Sequence, residues 1–160
     1  MRGAEMPPFF IDKNVLISYM IWIQIEIVLP SHQRGYHIIT HLIENEFNHE
    51  LKKIKIGMVY IFIKHTSASI TINENIDPTV REDFESHINV MVPENATYYN
   101  HTMEGPDDMP AHLKSSILGN SLAIPITNGE FNLGTWQGIY LCEHRNRSSV
   151  RKLVITINGE

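Results

Sequence analysis

Two histidines and three carboxylates lie within twelve consecutive positions in the second half of the chain. They are His101, Glu104, Asp107, Asp108 and His112. Imidazole and carboxylate are common ligands of divalent metals, and histidine also titrates near neutral pH. The segment therefore indicates either a metal site, with His101, Asp107 and His112 as ligands, or acid–base chemistry involving Asp108 and His112. The alternative is a helix capped by Asp107 or Asp108, with the two histidines as surface residues.

A second polar cluster, residues 65–69, follows directly on an apolar segment that is typical of a buried strand. Its hydroxyl groups belong to Thr66, Ser67 and Ser69, and they stand next to His65. Hydroxyls and backbone amides at such a strand end can hold phosphate oxygens. The alternative is a strand end whose polar groups bind only to neighbouring strands.

A third cluster ends another apolar segment, at Glu143 and Arg145. Strand alternation places these two side chains on one face and those of Cys142 and His144 on the other. Glu143 and Arg145 could therefore reach one ligand, although a surface ion pair explains them equally well. Cys142 stands among apolar residues, and we expect it to pack in the core.

Composition limits the class of protein. The chain has 160 residues, of which 42% are hydrophobic and 19% charged, as expected for one globular domain. The chain has nine histidines and one cysteine. A single cysteine excludes an intrachain disulfide and a cysteine-rich zinc site, and because such cysteine usage is typical of a reducing compartment, we expect a cytoplasmic location. The net charge of −5 and the absence of a long basic run argue against nucleic-acid binding.

The apolar run 15–29 does not have the pattern of a membrane span. It contains Ser18, Gln24 and Glu26, and its later half alternates apolar and polar residues, which predicts a strand. No cleavage site typical of a signal peptide follows it, because Leu29 precedes Pro30 and Ser31. Residues 1–18 are expected to be an extension outside the domain.

The remaining chain predicts an α+β protein. Helices are predicted after Thr40, which we expect to cap the first, after Asp77 with Pro78 in the first turn, and after Asp107 or Asp108, ending before Gly119. A polar loop over 94–108 separates the last two helices. Strands or extended segments are predicted near 20–29, 36–40, 58–63, 70–73, 122–126, 138–145 and 150–157. The helices are too few for a doubly wound sheet.

Three long motifs resemble the signature of the YjbQ family, also called the secondary thiamine-phosphate synthase family. They cover residues 65–75 with the following 77–78 and 80–81, residues 104–112, and residues 133–141 with 143–145. The resemblance extends over residues 19–158. It implies a single YjbQ-like domain at 19–160, with mixed or antiparallel strands in two layers and two to three helices.

The resemblance also implies a homotrimer with a polar, histidine-containing cleft near the subunit boundaries. Weak thiamine-phosphate synthase activity is implied too, joining a pyrimidine methyl diphosphate to a thiazole phosphate with release of pyrophosphate. Carried over by position, the site consists of His65, Glu74, His101, Asp107, Asp108, His112, Glu143 and Arg145.

These observations assign three roles. The catalytic residues are His65, Asp108, His112 and Glu143. The ligand- and phosphate-binding residues are Thr66, Ser67, Ser69, Glu74 and Arg145. The ligands of a divalent metal, zinc or magnesium, are His101, Asp107 and His112. Two further functions stay open: metal-assisted hydrolysis or phosphoryl chemistry on another small phosphorylated metabolite, and non-catalytic ligand binding by a trimer. No nucleic-acid or membrane partner is expected.

Overall fold

Two antiparallel sheets and three helices are present in the computed structural model, which describes residues 20–147 and 149–160. The expected extension at 1–18 lies outside the described residues. The strands are β1 (Ile21–Leu29), β2 (Gly35–Ile38), β3 (Ile56–Ile63), β4 (Ala68–Glu74), β5 (Ser121–Thr127), β6 (Glu130–Phe131), β7 (Gln137–Glu143) and β8 (Arg151–Gly159). The helices are α1 (Thr40–Leu51), α2 (Pro78–Met91) and α3 (Asp108–Leu118). The predicted α+β class, with antiparallel strands in two sheets, is confirmed.

The larger sheet has the order β1-β8-β3-β5-β6, and the smaller has the order β2-β7-β4. In β1 the isoleucines at 21, 23, 25 and 27 alternate with more exposed residues, so the strand covers the core with one face. It pairs with β8 from Ile21 opposite Gly159 to Leu29 opposite Arg151. The predicted strand in this apolar run is therefore confirmed. Among the helices of the described residues, none is long and apolar enough to cross a membrane.

The main core lies between the inner faces of the two sheets and includes one face of α1. Ile43, Phe47 and Leu51 are buried on that helix at helical spacing, whereas the neighbouring Leu42 is exposed. The prediction that Thr40 caps α1 is wrong. Thr40 is the first helical residue, and its hydroxyl instead accepts the backbone N–H of Ile139 on β7 at 2.8 Å.

A smaller core lies beneath the other two helices, where Tyr36, Ile88, Tyr140 and Cys142 are buried together. This placement confirms that Cys142 packs in the core. The predicted start of α2 is also confirmed, because the Asp77 carboxylate accepts the backbone N–H of Thr79 at 2.9 Å and Pro78 is the first helical residue.

Helix α3 begins at Asp108 without any side-chain cap hydrogen bond. Asp107 occupies the predicted N-cap position, but its side chain does not cap the helix, because both carboxylates turn toward other partners described below. The helix ends at Leu118, before Gly119 as predicted, and the φ of +103° at Gly119 favours glycine.

The strand pairing in the smaller sheet separates the motif residues. Ala68 is paired with Glu143 at one end of the β4–β7 ladder, and Glu74 is paired with Gln137 at the other. Residues 65–67 and 144–145 therefore extend from the first end, near α3. Glu74 belongs to the opposite end.

Candidate metal centre

The side chains of His101, Asp108 and His112 converge at the N-terminal end of α3. The Nε2 atom of His101 lies 2.7 Å from Asp108 Oδ2, and the Nε2 atom of His112 lies 3.4 Å from the same oxygen. One ligand atom from each residue lies within 4.8 Å of the others, a spacing at which the three could hold a metal ion. Asp108 and His112 are four residues apart on one helix face, and His101 is contributed by the loop before the helix.

A backbone carbonyl fixes the orientation of His112. Its Nδ1 atom lies 3.0 Å from the carbonyl oxygen of Thr66, which can only accept a hydrogen bond. The neutral ring therefore carries its hydrogen on Nδ1 and directs the lone pair of Nε2 toward Asp108. A hydrogen bond from the second ring nitrogen to a carbonyl is typical of metal-binding histidines. The contact also joins the motif at 65–69 to the motif at 104–112.

Two imidazoles and one carboxylate suit zinc better than magnesium. Zinc commonly binds histidine nitrogen together with a carboxylate, whereas magnesium prefers oxygen ligands and retains several waters. Of the two predicted metals, the donor set therefore fits zinc.

Asp107 lies outside this cluster. Its Oδ2 atom lies 3.1 Å from Nε of Arg145 and accepts the backbone N–H of Asn146 at 2.8 Å. Arg145 also pairs with Oδ1 of Asp108 and donates to the carbonyl of Glu104 at 2.9 Å. The structure thus brings Asp108, rather than the predicted Asp107, to the two histidines. Arg145 holds both carboxylates and the loop that carries His101.

Glu143 and Arg145 do not face one ligand. The Glu143 side chain is fully buried, and Arg151 binds its two oxygens at 2.7 Å each, in a bidentate ion pair. Glu143 also accepts the backbone N–H of Arg145 at 3.0 Å. In this position Glu143 stabilises the start of β8 and the residue after β7, and its carboxylate is not open to a substrate.

His65 is held by the other sheet. Its Nε2 atom accepts the backbone N–H of Lys152 at 2.8 Å, so that lone pair is not free for a metal or a proton. Burial and the neighbouring Arg151 guanidinium hold the pKa of His65 below its usual value, which favours the neutral ring. The structure places His65 beside Thr66 but not among the three converging side chains.

The predicted phosphate-binding hydroxyls separate into two groups. Ser69 is fully buried and its hydroxyl is hydrogen-bonded to Nε2 of His144 at 2.8 Å, so it cannot reach a ligand from solvent. Thr66 is exposed and Ser67 half-buried, and both line a surface cavity of about 380 Å³. Thr66 and Ser67 are thus accessible to a ligand from solvent, whereas Ser69 is not.

Glu74 lies far from the three converging side chains within one chain. It is six residues along β4 from Ala68, which corresponds to roughly 20 Å of extended strand. The structure therefore does not join Glu74 to the rest of the predicted site.

Two arginines that support the site were missed by the sequence analysis. Arg151 neutralises Glu143, and Arg34 binds Glu85 at 2.9 Å, Asn89 at 2.5 Å and Asn146 at 3.0 Å. Arg34 thereby positions the residue whose backbone N–H binds Asp107. Arg151 could have been found from the sequence, because it is the first residue of an alternating strand and stands at a position whose side chain faces inward. Arg34 lies in a polar turn, where no alternating pattern marks its position.

A cavity of about 450 Å³ opens beside His101. Its walls come from the loop between α2 and α3 and from the first turn of α3, including Asn95, Thr97, Tyr99 and Met109. A ligand in this cavity would contact one of the three converging residues directly.

The comparisons with known proteins agree on one family. A family model described as UPF0047 protein YjbQ-like matches residues 24–160. The UPF0047 protein YjbQ of Salmonella typhimurium is 48% identical over 140 residues, which cover 88% of this chain and 100% of that protein. A UPF0047 protein of Synechocystis is 40% identical over 134 residues, covering 84% and 90% of the two chains.

Solved structures show the same fold. A YbjQ-like protein of unknown function from Sulfolobus solfataricus matches with a TM-score of 0.74 and 27% identity, over 89% of this chain and 100% of that one. An uncharacterised protein of the YjbQ/UPF0047 family from Clostridium acetobutylicum matches with a TM-score of 0.73 and 36% identity, over 82% and 97%.

Proposed function

The chain belongs to the UPF0047 YjbQ-like family, and we propose that it is a metal-dependent enzyme acting on a small phosphorylated metabolite at His101, Asp108 and His112. The observation that carries this proposal is the hydrogen bond from His112 Nδ1 to the Thr66 carbonyl oxygen. It turns the Nε2 lone pair toward the buried Asp108 carboxylate, which His101 also contacts. An imidazole held in this orientation presents its Nε2 lone pair to a bound cation.

The metal best supported by these ligands is zinc. Bound there, it supplies Lewis-acid polarisation of a phosphoryl oxygen and activates water. Asp108 is only 3% exposed, so its charge is weakly screened and its binding of a cation is strengthened. Arg145 lies directly beside it with its side chain 17% exposed, and its guanidinium can stabilise phosphate oxygens at the mouth of the site.

Hydrolysis or phosphoryl transfer is the reaction class that this arrangement supports best. The arrangement contains a metal ligand set and a neighbouring cation, which together stabilise charge on phosphate. Coupling of a pyrimidine methyl diphosphate to a thiazole phosphate stays a prediction from the family resemblance. It belongs among the substrates to be tested, because it too releases pyrophosphate.

The test is an assay of phosphate and pyrophosphate release by protein that has been stripped of metal and then loaded with zinc. Substrates include phosphate monoesters, diphosphates and the pyrimidine–thiazole pair. We expect zinc-dependent turnover that Asp108→Asn and His112→Ala reduce by at least about 100-fold, since even outer-shell partners of metal ligands contribute 10- to 100-fold. The control is His49→Ala, an exposed histidine on α1. Turnover at equal rates with and without zinc would overturn the metal dependence, and no turnover of any substrate under either condition would overturn the proposal and favour non-catalytic ligand binding.

We propose further that the working unit is the homotrimer that the family resemblance implies. Support comes from the outer face of the larger sheet, where Trp22, Tyr60 and Phe62 are all exposed. Trp22 belongs to β1 and Tyr60 and Phe62 belong to β3, so large exposed side chains lie on both sides of β8. Light scattering should give a mass of three times 18.4 kDa, and Tyr60→Glu should lower it. A monomeric wild-type protein would contradict the trimer.

A cytoplasmic location is also part of the proposal. The single cysteine, Cys142, is buried, and burial raises the pKa of its thiol to about 12, so it is poorly suited to disulfide exchange. A chain with this cysteine usage fits a reducing compartment. Fractionation of cells expressing the protein tests this, and recovery outside the cytoplasm would contradict it.

A further inference from the structure

We propose that the cavity beside His101 binds the organic group of the substrate, and that this group carries no ionised substituent. The substrate is then a phosphate ester of a neutral alcohol or phenol, an inference that rests on the proposed function and narrows it. The cavity measures about 450 Å³, and small-molecule sites measure roughly 300–1,000 Å³. It is therefore large enough for an organic group of several carbon atoms.

The cavity and the metal centre share His101. This residue lines the cavity, and its Nε2 atom lies 2.7 Å from Asp108 Oδ2. The side chains of His101 and His112 are 48% and 34% exposed, whereas that of Asp108 is 3% exposed, so the converging atoms are open to solvent on the histidine side. A phosphoryl group that reaches these atoms from that side has its organic group next to His101, at the cavity.

The walls of the cavity are almost free of charge. Of the nine residues that the described part of the chain contributes to them, none is a lysine, arginine, aspartate or glutamate. Burial and the neighbouring Tyr98 raise the pKa of Tyr99, so its phenol stays neutral. The imidazole of His101 is also neutral when it binds a metal. An ionised substituent would therefore leave water without gaining a counter-ion, which is costly.

The neighbouring side chains supply no spare cation to the organic group. Arg34 is paired with Glu94 at the start of the loop, and Arg145 is paired with Asp107 at its end. Glu104, in the same loop, is exposed and adds a negative charge. This charge opposes a carboxylate or a second phosphoryl group on the organic part of the substrate.

The walls instead contain neutral hydrogen-bonding groups and apolar surface. Within residues 20–147 and 149–160, the side chains of Asn95, Thr97 and Thr102 take part in no hydrogen bond, so an amide and two hydroxyl groups are available to a ligand. Ala96 and Met109 contribute apolar surface to the same cavity. Such walls suit a carbon skeleton that carries hydroxyl groups or ring heteroatoms.

Phenylphosphonate and its para-carboxylate derivative test this inference, because they differ by one carboxylate and their P–C bonds resist hydrolysis. Each is titrated into zinc-loaded protein with isotope-labelled methionine methyl groups. NMR follows the methyl signal of Met109, which is assigned by its loss in Met109→Leu. We expect phenylphosphonate to shift this signal saturably and the carboxylated compound to bind at least about tenfold more weakly. The signal of Met20, which lies before β1 and outside the cavity, should not move.

A cation placed on the wall should remove this preference. Thr97 is exposed, so Thr97→Lys gives the carboxylate a counter-ion without disturbing the core. We expect the variant to tighten binding of the carboxylated compound about tenfold, the value of one hydrogen bond to a charged group, and to leave phenylphosphonate binding nearly unchanged. Asn48→Lys, at an exposed position on α1, is the matched control and should keep the wild-type preference.

The outcomes separate this inference from the proposed function. Equal affinities of the two compounds in the wild type, or binding that leaves the Met109 signal in place, would overturn the inference, and zinc-dependent turnover by the same protein would leave the proposed function intact. Failure of both compounds to bind the zinc-loaded protein also overturns the inference. A Met109 shift with the expected preference, in a protein that binds no zinc, supports the ligand class of the cavity and overturns the proposed function.

Discussion

Lowering the pH from 7 to 5 is expected to destabilise the protein by about 2 kcal/mol through His144 alone. The residue is 2% exposed, and its Nε2 atom is hydrogen-bonded to the Ser69 hydroxyl at 2.8 Å. Burial, followed by the charges of Lys114 and Arg34, lowers the pKa of His144 from 6.5 to about 3. The imidazole is therefore neutral in the folded protein throughout this range.

The direction of the effect follows from the protons bound in each state. At pH 5 the unfolded chain protonates this histidine and the folded protein does not, so acid favours unfolding. The stability is complete above about pH 6.5 and is lost progressively as the pH falls toward 3. With pKa values of 6.5 and about 3, the loss is roughly 2 kcal/mol at pH 5 and approaches about 5 kcal/mol below pH 3.

Urea denaturation at pH 7 and pH 5 measures this loss. The variant is His144→Gln, and the matched control is His49→Gln, whose native side chain is 78% exposed. The difference in unfolding free energy between the two pH values should be about 2 kcal/mol smaller in His144→Gln than in the wild type, and unchanged in the control. An unchanged pH dependence in His144→Gln would refute the reasoning.

Three further predictions concern the ion pairs and the packing. Replacing Arg145 by Gln leaves Asp107 and Asp108 buried without their cation, and urea denaturation should show a loss of about 3 kcal/mol in unfolding free energy. Zinc should restore part of this loss, and a loss that is the same with and without zinc would contradict Asp108 as a ligand. Glu143→Gln should lower the unfolding free energy by about 3 kcal/mol, because Arg151 stays buried and unpaired. The double variant Glu143→Gln, Arg151→Met should lose less than the sum of the two single variants, and strictly additive losses would contradict the ion pair. Gly57→Ala places a Cβ against the carbonyl oxygen of Asn158 and should cost about 1–3 kcal/mol, whereas in Gly134→Ala the Cβ meets only the flexible Gln137 side chain. Equal melting temperatures for both variants would contradict the β3–β8 register.

Most elements of the fold could be predicted because their signals are local. The alternation in β1 and the Asp77–Pro78 start of α2 depend on neighbouring residues, and both are confirmed. Thr40 shows where local reasoning fails. Its hydroxyl could cap a helix, but a backbone N–H from β7, 99 residues away, binds it instead. Capping preferences do not include such long-range partners.

The candidate site was predictable in part. The cluster at 101–112 was visible in the sequence. Helical spacing alone could have decided which of its two adjacent aspartates lies beside His112. Asp108 and His112 are four residues apart and share a helix face, whereas Asp107 and His112 do not. The positions of Ser69 and Glu74 depend instead on the sheet. Ser69 points into the smaller core, and the length of β4 carries Glu74 to the far end.

The central claim is that His101, Asp108 and His112 bind zinc, and equilibrium dialysis with metal analysis measures this directly. The wild type should bind about one zinc ion per chain, and His101→Ala, Asp108→Asn and His112→Ala should each weaken binding at least about 100-fold. Asp107→Asn, which changes the neighbouring carboxylate outside the cluster, and His41→Ala, at an exposed histidine, should bind zinc as the wild type does. Zinc binding that is absent from the wild type, or equal in all five variants, would contradict the account.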